Sequence, residues 1–287
     1  MSKVLVFGAA GMLGRCVIRD LSRIHDVEGT VRRGEDASMG LHVHVVDLRD
    51  SSAATRILDR VQPRVVVNCA GIIKQRVRES TPQDVFLVNT LLPHQVALWS
   101  EQHGARFVHI STDCVFRGDR EGPPYREETP PDADDLYGYS KAAGEVLFMP
   151  STITLRTSII GLERGGSHFG LLEWFLSHPD GVTVPGYANH WWSGVTTAEL
   201  STLICRLSRE TTWRPGLYQV AGDPISKYEL LRLVSRVFDR ALHVTPVEAE
   251  SAVYRILDGS RLMASFDHRP SDLTNQLELL CSLKNMS

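Results

Sequence analysis

The sequence predicts an α/β fold, a doubly wound parallel sheet with a smaller α/β C-terminal lobe, on three observations. A short β-branched run, Lys3 to Phe7, opens directly into Gly8-Ala9-Ala10-Gly11-Met12-Leu13-Gly14 and an apolar helical stretch to about Ile24. Buried-strand runs then recur at 27–31, 42–46, 63–67 and 106–110, with helical stretches between several of them. Tyr137 and Lys141 stand at helical spacing just beyond the last of these runs. Strands alternating with helices imply parallel pairing with helices on both faces, the Rossmann arrangement.

The chain has 287 residues, 43% hydrophobic and 23% charged, enough for one large domain or two unequal ones. The expected division is a nucleotide-binding domain over 1–158 with a return segment near 195–220. The second lobe would take 159–194 and 221–287 and bind substrate. A net charge of −3 without a basic block excludes a nucleic-acid footprint. No apolar run approaches membrane length, and the N-terminal stretch lacks a signal-peptide pattern. Five cysteines without CxxC spacing read as free thiols in a reducing compartment, and no metal site is expected. A cytoplasmic location follows.

Taken in order, the glycine turn comes first. Gly8 permits the tight turn, Gly11 lets backbone amides reach a pyrophosphate, and Gly14 lets helix and strand approach closely. Met12 and Leu13 open the helix whose N-terminus favours an anion. The spacing is GxxGxxG rather than GxGxxG, and a plain packing turn is the alternative. The preceding strand and following helix favour a dinucleotide.

The second strand, 27–31, is followed by Arg32 and Arg33. Glu28 falls inside that strand, so an acid for a ribose 2′-hydroxyl is missing from its end. Guanidinium groups suit a 2′-phosphate, which favours NADPH, with solvated surface arginines as the plainer reading. The third strand ends in Asp47-Leu48, where a carboxylate could meet an adenine amino group. After 63–67 come Asn68, Cys69, Ala70 and Gly71, small residues that would let the chain pass under the cofactor. The polar stretch 72–84 reads as a lid or substrate loop, and a helix follows over 85–103. Asn89 within it braces the active-site backbone or is satisfied locally.

The strand at 106–110 ends in Ser111-Thr112-Asp113-Cys114-Val115-Phe116. Hydroxyls at that end face the crevice where ligands bind in this fold class. Tyr137 and Lys141 lie one helical turn apart. A phenol near pKa 10 needs roughly 4 kcal/mol to reach neutrality, at about 1.36 kcal/mol per unit. A cation near 4 Å supplies about 4 kcal/mol at an effective dielectric near 20. The pair therefore reads as a tuned proton donor, with Thr112 converging on it.

Here the sequence resembles the extended short-chain dehydrogenase/reductases, and within them the dTDP-4-dehydrorhamnose reductase group. That group reads approximately STDYVF…PY.E…YG.SK..GE. This chain has STDCVF from Ser111, Pro124-Tyr125-Arg126-Glu127, and YGYSKAAGE from Tyr137 to Glu145. The likeness extends to the glycine turn, to NCAG at 68–71, to Leu155-Arg156-Thr157-Ser158 and to RILDGSR at 255–261. The resemblance implies NADPH-dependent reduction of a nucleotide-linked 4-keto-6-deoxyhexose. Tyr137 would donate a proton to the carbonyl oxygen, Lys141 would lower the tyrosine pKa and hold the nicotinamide ribose, and Thr112 would bond the same oxygen. Ser111 is the substitute for Thr112. Sugar-nucleotide dehydratases place an Asp-Glu pair after the threonine, whereas here Cys114 follows Asp113, so dehydration is disfavoured.

The substrate end departs most from that group. NHWWSGVTT stands at 189–197 where the group has DQxGxPT. Trp191 and Trp192 read as a sugar or base platform or, equally, as core packing. Arg261 reads as a diphosphate ligand or, equally, as half of a salt bridge. Helices are expected at 169–176, 197–207 and 226–238, with a flexible turn at 161–166 and fraying after Asn285. The expected partners are a nucleotide-sugar substrate and a second copy in a homodimer, with no nucleic acid or membrane. A nucleotide-sugar epimerase and a non-catalytic NADP-binding regulatory protein remain as alternatives.

Overall fold

A computed structural model describes residues 1–34, 42–119, 121–163 and 170–285. Half of the turn expected at 161–166, the start of the helix expected at Phe169 and the residues after Asn285 lie outside them. In chain order the elements are β1 (Lys3–Phe7), α1 (Met12–Leu21), β2 (Asp26–Val31), β3 (His42–Val45), α2 (Ala53–Val61), β4 (Val65–Asn68), α3 (Pro82–Phe86), α4 (Leu92–His103), β5 (Arg106–Thr112), α5 (Leu136–Ala143) and β6 (Thr152–Thr157). They continue as β7 (Ile159–Ile160), α6 (Leu171–Leu176), β8 (Thr183–Tyr187), β9 (His190–Trp192), β10 (Val195–Thr196), α7 (Thr197–Ser208), β11 (Gly216–Val220), β12 (Ile225–Ser226), α8 (Lys227–Val237), β13 (His243–Val247), β14 (Val253–Arg255), α9 (Ser260–Phe266) and α10 (Leu273–Asn285).

Seven strands form one parallel sheet in the order β11-β6-β5-β4-β1-β2-β3. The chain runs outward from β1 to β2 and β3, then returns to place β4 on the other side of β1. That reversal opens a crevice beyond the carboxyl ends of β1 and β4, where α/β sheets bind ligands. Every residue of β4 is buried, as a strand covered on both faces must be.

The described chain divides into two compact units. The first comprises Met1–Val115, Ala133–Arg156 and Ser201–Tyr218. Part of its core joins Leu5 and Phe7 of β1 to Ile57 and Leu58 of α2, Val96 and Trp99 of α4, and Phe107 of β5. The helical stretch expected over 85–103 is interrupted by a π turn at Leu87–Leu91 between α3 and α4. The expected loop at 72–84 contains a 3₁₀ helix, Lys74–Glu79.

The second unit comprises Phe116–Asp132, Thr157–Leu200 and Gln219–Ser287. It holds a small β12-β9-β14 sheet and the parallel β13-β8 and β10-β7 pairs. Its core packs Leu172 and Phe175 of α6, Trp192 of β9, Leu230 and Val234 of α8, and Leu277 of α10. The serine cap expected before α8 is a full capping box, Ser226 with Glu229. No helix among the described residues is long and apolar enough to cross a membrane.

Candidate active site

The glycine turn follows β1 directly. Gly8 has φ 79°, which a side chain would strain, and a Cβ there would lie 2.7 Å from the Ala70 nitrogen. A Cβ at Gly14 would lie 2.1 Å from the Gly8 carbonyl oxygen, so only glycine lets α1 sit against the turn. The Gly11 N–H donates to Gly8 O at 3.0 Å. Gly11 caps α1 without a side-chain bond, and the first turn carries no acid. Its N–H groups are therefore suited to an anion. Leu13 is buried in the core, so its side chain supports the turn and only its backbone faces outward tasks. Met12 beside it is partly exposed.

On the neighbouring strand end, Asn68 Oδ1 accepts from the Ala70 N–H at 3.0 Å, and its Nδ2 lies 3.2 Å from His109 Nδ1 on β5. Burial holds the His109 imidazole well below its ordinary pKa, so the ring is neutral. The Cys69 N–H donates to Phe7 O at 3.0 Å, and burial pushes the Cys69 thiol up, leaving it an inert packing group. Gly71 is exposed at the end of this segment. The NCAG stretch is thus fastened from both sides next to the glycine turn.

Arg32 and Arg33 are exposed just past β2. Glu28 is taken up inside the sheet, 2.5 Å from His44 Nε2 and 3.5 Å from Lys3 Nζ. Asp47 is already held by a guanidinium: Arg49 Nε donates to its Oδ1 at 2.9 Å, and Arg49 Nη2 donates to its Oδ2 at 2.5 Å. The Arg49 bonds hold its carboxyl below the usual range, with Arg32 adding to the effect. Leu48 packs on the first unit's core.

The chemical centre is built on β5 and α5. Asp135 caps α5, accepting from the Gly138 N–H at 2.7 Å, and Lys74 Nζ sits 2.6 Å from the same carboxylate. This cap sets where the helix begins, and hence where Tyr137 stands. Asn89, on the π turn, bonds Ile72 in both directions (2.8 and 3.0 Å) and donates to Ser140 Oγ at 3.1 Å. A π turn widens the helix locally and recurs at functional sites. Here it ties the 72–79 segment to the helix carrying the tyrosine.

Thr112, whose hydroxyl donates to Asp113 Oδ1 and accepts from the Cys114 N–H, both at 3.2 Å, lies close enough to the Tyr137 phenol to lower its pKa. Lys141 is buried, and its Nζ donates to the Ile110 carbonyl at 2.6 Å. The three residues expected to act together are therefore gathered at one strand end. The expected electrostatics need correction. Burial, the largest influence, pushes the phenol above its ordinary pKa. Cys114 adds to this, and Thr112 opposes it. Lys141 is itself pushed down to about 8 by burial, with the Glu145 carboxylate opposing. A low-dielectric pocket disfavours phenolate and ammonium alike. The lysine, rather than the tyrosine, is the group brought near neutrality.

Other expectations also change. The Ser111 hydroxyl donates to Glu145 Oε1 at 2.6 Å and is buried. Alternate strand side chains point to opposite faces, so it cannot stand in for Thr112. Trp192 is 3% exposed within the second unit's core, with Lys227 Nζ 5.1 Å from its ring centre. It is a packing residue, not a sugar platform. Trp191, the alternate residue on β9, is partly exposed and pairs with Ser226 and Tyr254. Arg261 forms a surface salt bridge with Glu128, the second of its two expected readings. Sequence reading missed the buried Glu145–Arg156 pair. Its signal was present: an arginine inside the strand run Thr152–Thr157 demands a buried partner.

Comparison with known proteins follows from this geometry. The family model described as "RmlD substrate binding domain" matches residues 2–256. A spore coat polysaccharide biosynthesis protein, SpsK of Bacillus subtilis, is 34% identical over 79% of this chain and 76% of its own. The dTDP-4-dehydrorhamnose reductase of Aggregatibacter actinomycetemcomitans is 25% identical over 97% of this chain and 98% of its own. The methionine adenosyltransferase 2 subunit beta of Bos taurus is 35% identical over 85% of this chain and 75% of its own. The crystal structure of Bacillus anthracis dTDP-4-dehydrorhamnose reductase with NADP superposes with TM-score 0.80 at 23% identity, covering 97% and 98% of the two chains. A family match over most of the chain, on a sheet with its ligand-binding end built from the same motifs, places the protein in the RmlD family of extended short-chain dehydrogenase/reductases.

Proposed function

We propose that the chain is an NADPH-dependent reductase of the keto group of a nucleotide-linked 4-keto-6-deoxyhexose. The observation that carries the reading is the gathering of Thr112, Tyr137 and Lys141 at the carboxyl end of β5, within a unit whose β1 and β4 ends carry the glycine turn and the NCAG segment. The named reductases among the relatives supply the substrate class.

The residues present fit a dinucleotide. The Gly8–Gly14 cradle would be filled by any Cβ at Gly8 or Gly14, and the first turn of α1 offers N–H groups with no acid against them. Gly8, Gly11 and the backbone of Met12, Leu13 and Gly14 would hold the pyrophosphate. Arg32 and Arg33 would meet a 2′-phosphate, and Cys69, Ala70 and Gly71 would pass beneath the nicotinamide end. The bound cofactor supplies a hydride.

The chain's own residues manage the proton. Tyr137, held as a neutral phenol by its burial, donates a proton to the carbonyl oxygen as negative charge grows there. Thr112 orients the same oxygen. Lys141, anchored on Ile110 O, places an ammonium where it favours the phenolate left behind. The test is NADPH oxidation with a panel of 4-keto-6-deoxy sugar nucleotides, products read by mass spectrometry. Tyr137→Phe should abolish turnover and keep cofactor affinity. Full activity in that variant would end the mechanism.

A second reading, a nucleotide-binding regulatory subunit, is favoured by the likeness to methionine adenosyltransferase 2 subunit beta. Stoichiometric NADPH binding with no turnover across that panel would support it.

A further inference from the structure

Tyr137 and Lys141 stand one turn apart on α5, and Glu145 follows two residues after that helix ends at Ala143. The end of β5 meets all three. Lys141 Nζ donates to the Ile110 carbonyl at 2.6 Å, Glu145 Oε1 accepts from Ser111 Oγ at 2.6 Å, and Thr112 lies close to the Tyr137 phenol. Three consecutive strand residues are thus each met by one residue of α5 or of the segment just after it.

Glu145 is in turn held from β6. Arg156 Nε donates to Oε1 at 2.9 Å and Nη2 donates to Oε2 at 2.7 Å, with both side chains almost wholly buried. Such a bidentate fork leaves the carboxylate one orientation. A Cβ at Gly144 would lie 2.0 Å from Asn89 O, so the chain just before Glu145 is pressed against the π turn.

We propose that Glu145 is a positioning residue for the reaction: clamped by Arg156, it locks Ser111 so that Thr112 meets Tyr137, and it sets its negative charge against the buried Lys141. The inference rests on the reductase reading and deepens it. Burial depresses the lysine to about 8, and the Glu145 carboxylate is the influence that opposes the fall. Among the described residues the other charged or titratable groups around this centre include Tyr137 on α5, Asp135 at its cap with Lys74, His109 on β5, Asp113 and Cys114 beyond it, Arg156 on β6 and His94 on α4. His109 is neutral, and Arg156 is spent on Glu145 itself.

The test separates charge from fold. Glu145→Gln alone would leave the buried Arg156 guanidinium without its carboxylate, so the informative variant is Glu145→Gln with Arg156→Met. Lys141 is acetylated over a pH series in substrate-free protein, and the labelled peptide is quantified by mass spectrometry. In the wild type the half-point should fall near pH 8. In the folded double variant it should move down by about one pH unit. An unmoved or raised half-point overturns the proposal. A double variant that does not fold also counts against it, because the pair would then serve the fold rather than the lysine.

Ser111→Ala, which changes no charge, tests the register. It should lower kcat about tenfold with KM within about twofold. Unchanged kcat overturns that half. Should no nucleotide sugar be turned over by the wild type, the labelling series still reads the action of Glu145 on Lys141, so failure of the reductase reading is told apart from failure of this one.

Discussion

The glycine turn of the first unit and the tryptophan pair of the second were both singled out by residue type, and they fared differently. Gly8 and Gly14 do what their spacing implied, because each is demanded by backbone atoms close in the fold: Ala70 N for one, Gly8 O for the other. Trp192, for which a platform and core packing stood equal, lies in the core, while its neighbour Trp191 is partly exposed. The difference teaches that a backbone requirement can be read from local sequence, whereas the use made of a large side chain depends on which face of its strand is covered.

The predictions sharpen that contrast, taken from the largest effect down. Tyr137→Phe should cost about 10²–10⁴-fold in kcat, the range of a general acid, with NADPH affinity held within a few-fold. Trp192→Ala should destabilise the protein by about 3–5 kcal/mol in denaturant unfolding, as loss of a fully packed indole does. Trp191→Ala should cost well under half of that. Equal losses from both would erase the distinction between the two tryptophans.

Arg32→Ala should reduce the preference for NADPH over NADH by about tenfold, near 1.4 kcal/mol, through loss of a charge-assisted bond. An unchanged ratio would leave the two arginines as solvated surface groups. The comparable pH effect sits on Lys141. Its folded pKa of about 8 lies below the ordinary 10.5, so above pH 8 the unfolded chain binds more protons than the folded one and stability rises with pH. From pH 8 to 9 this contributes about 1 kcal/mol, visible as a rising melting temperature that Lys141→Met flattens. Above pH 9 the buried Cys69 thiol, whose folded pKa is raised, acts in the opposite direction. Arg261→Ala should be the mildest change, under about 1 kcal/mol in stability with KM unaltered, as expected for an exposed ion pair. A large KM effect would favour its substrate role instead.

Much of the active centre was legible because its residues are joined through short stretches of chain. Tyr137 and Lys141 lie one turn apart on α5, and Ser111 and Thr112 end a strand whose burial pattern was plain. What escaped was anything needing a partner from a distant element. That Ser111 is taken up by Glu145 on one side of β5, and so is no substitute for Thr112, needed the folded structure. The RILDGSR motif was singled out by resemblance, with no partner named for its first residues. In the fold Arg255 donates from Nε to Phe116 O at 2.8 Å and Leu257 bridges Tyr125, so the motif largely fastens the 116–127 segment within the second unit.

By itself, then, the amino-acid order determined the parallel α/β class, the turn that only glycine can make and the tyrosine–lysine pair, because each depends on interactions a few residues long. The tertiary structure alone decided the electrostatics: it raised the phenol, lowered the ammonium to about 8, and paired Glu145 with Arg156. Burial is a property of everything packed around a group, and no local spacing encodes how much water has been removed from it.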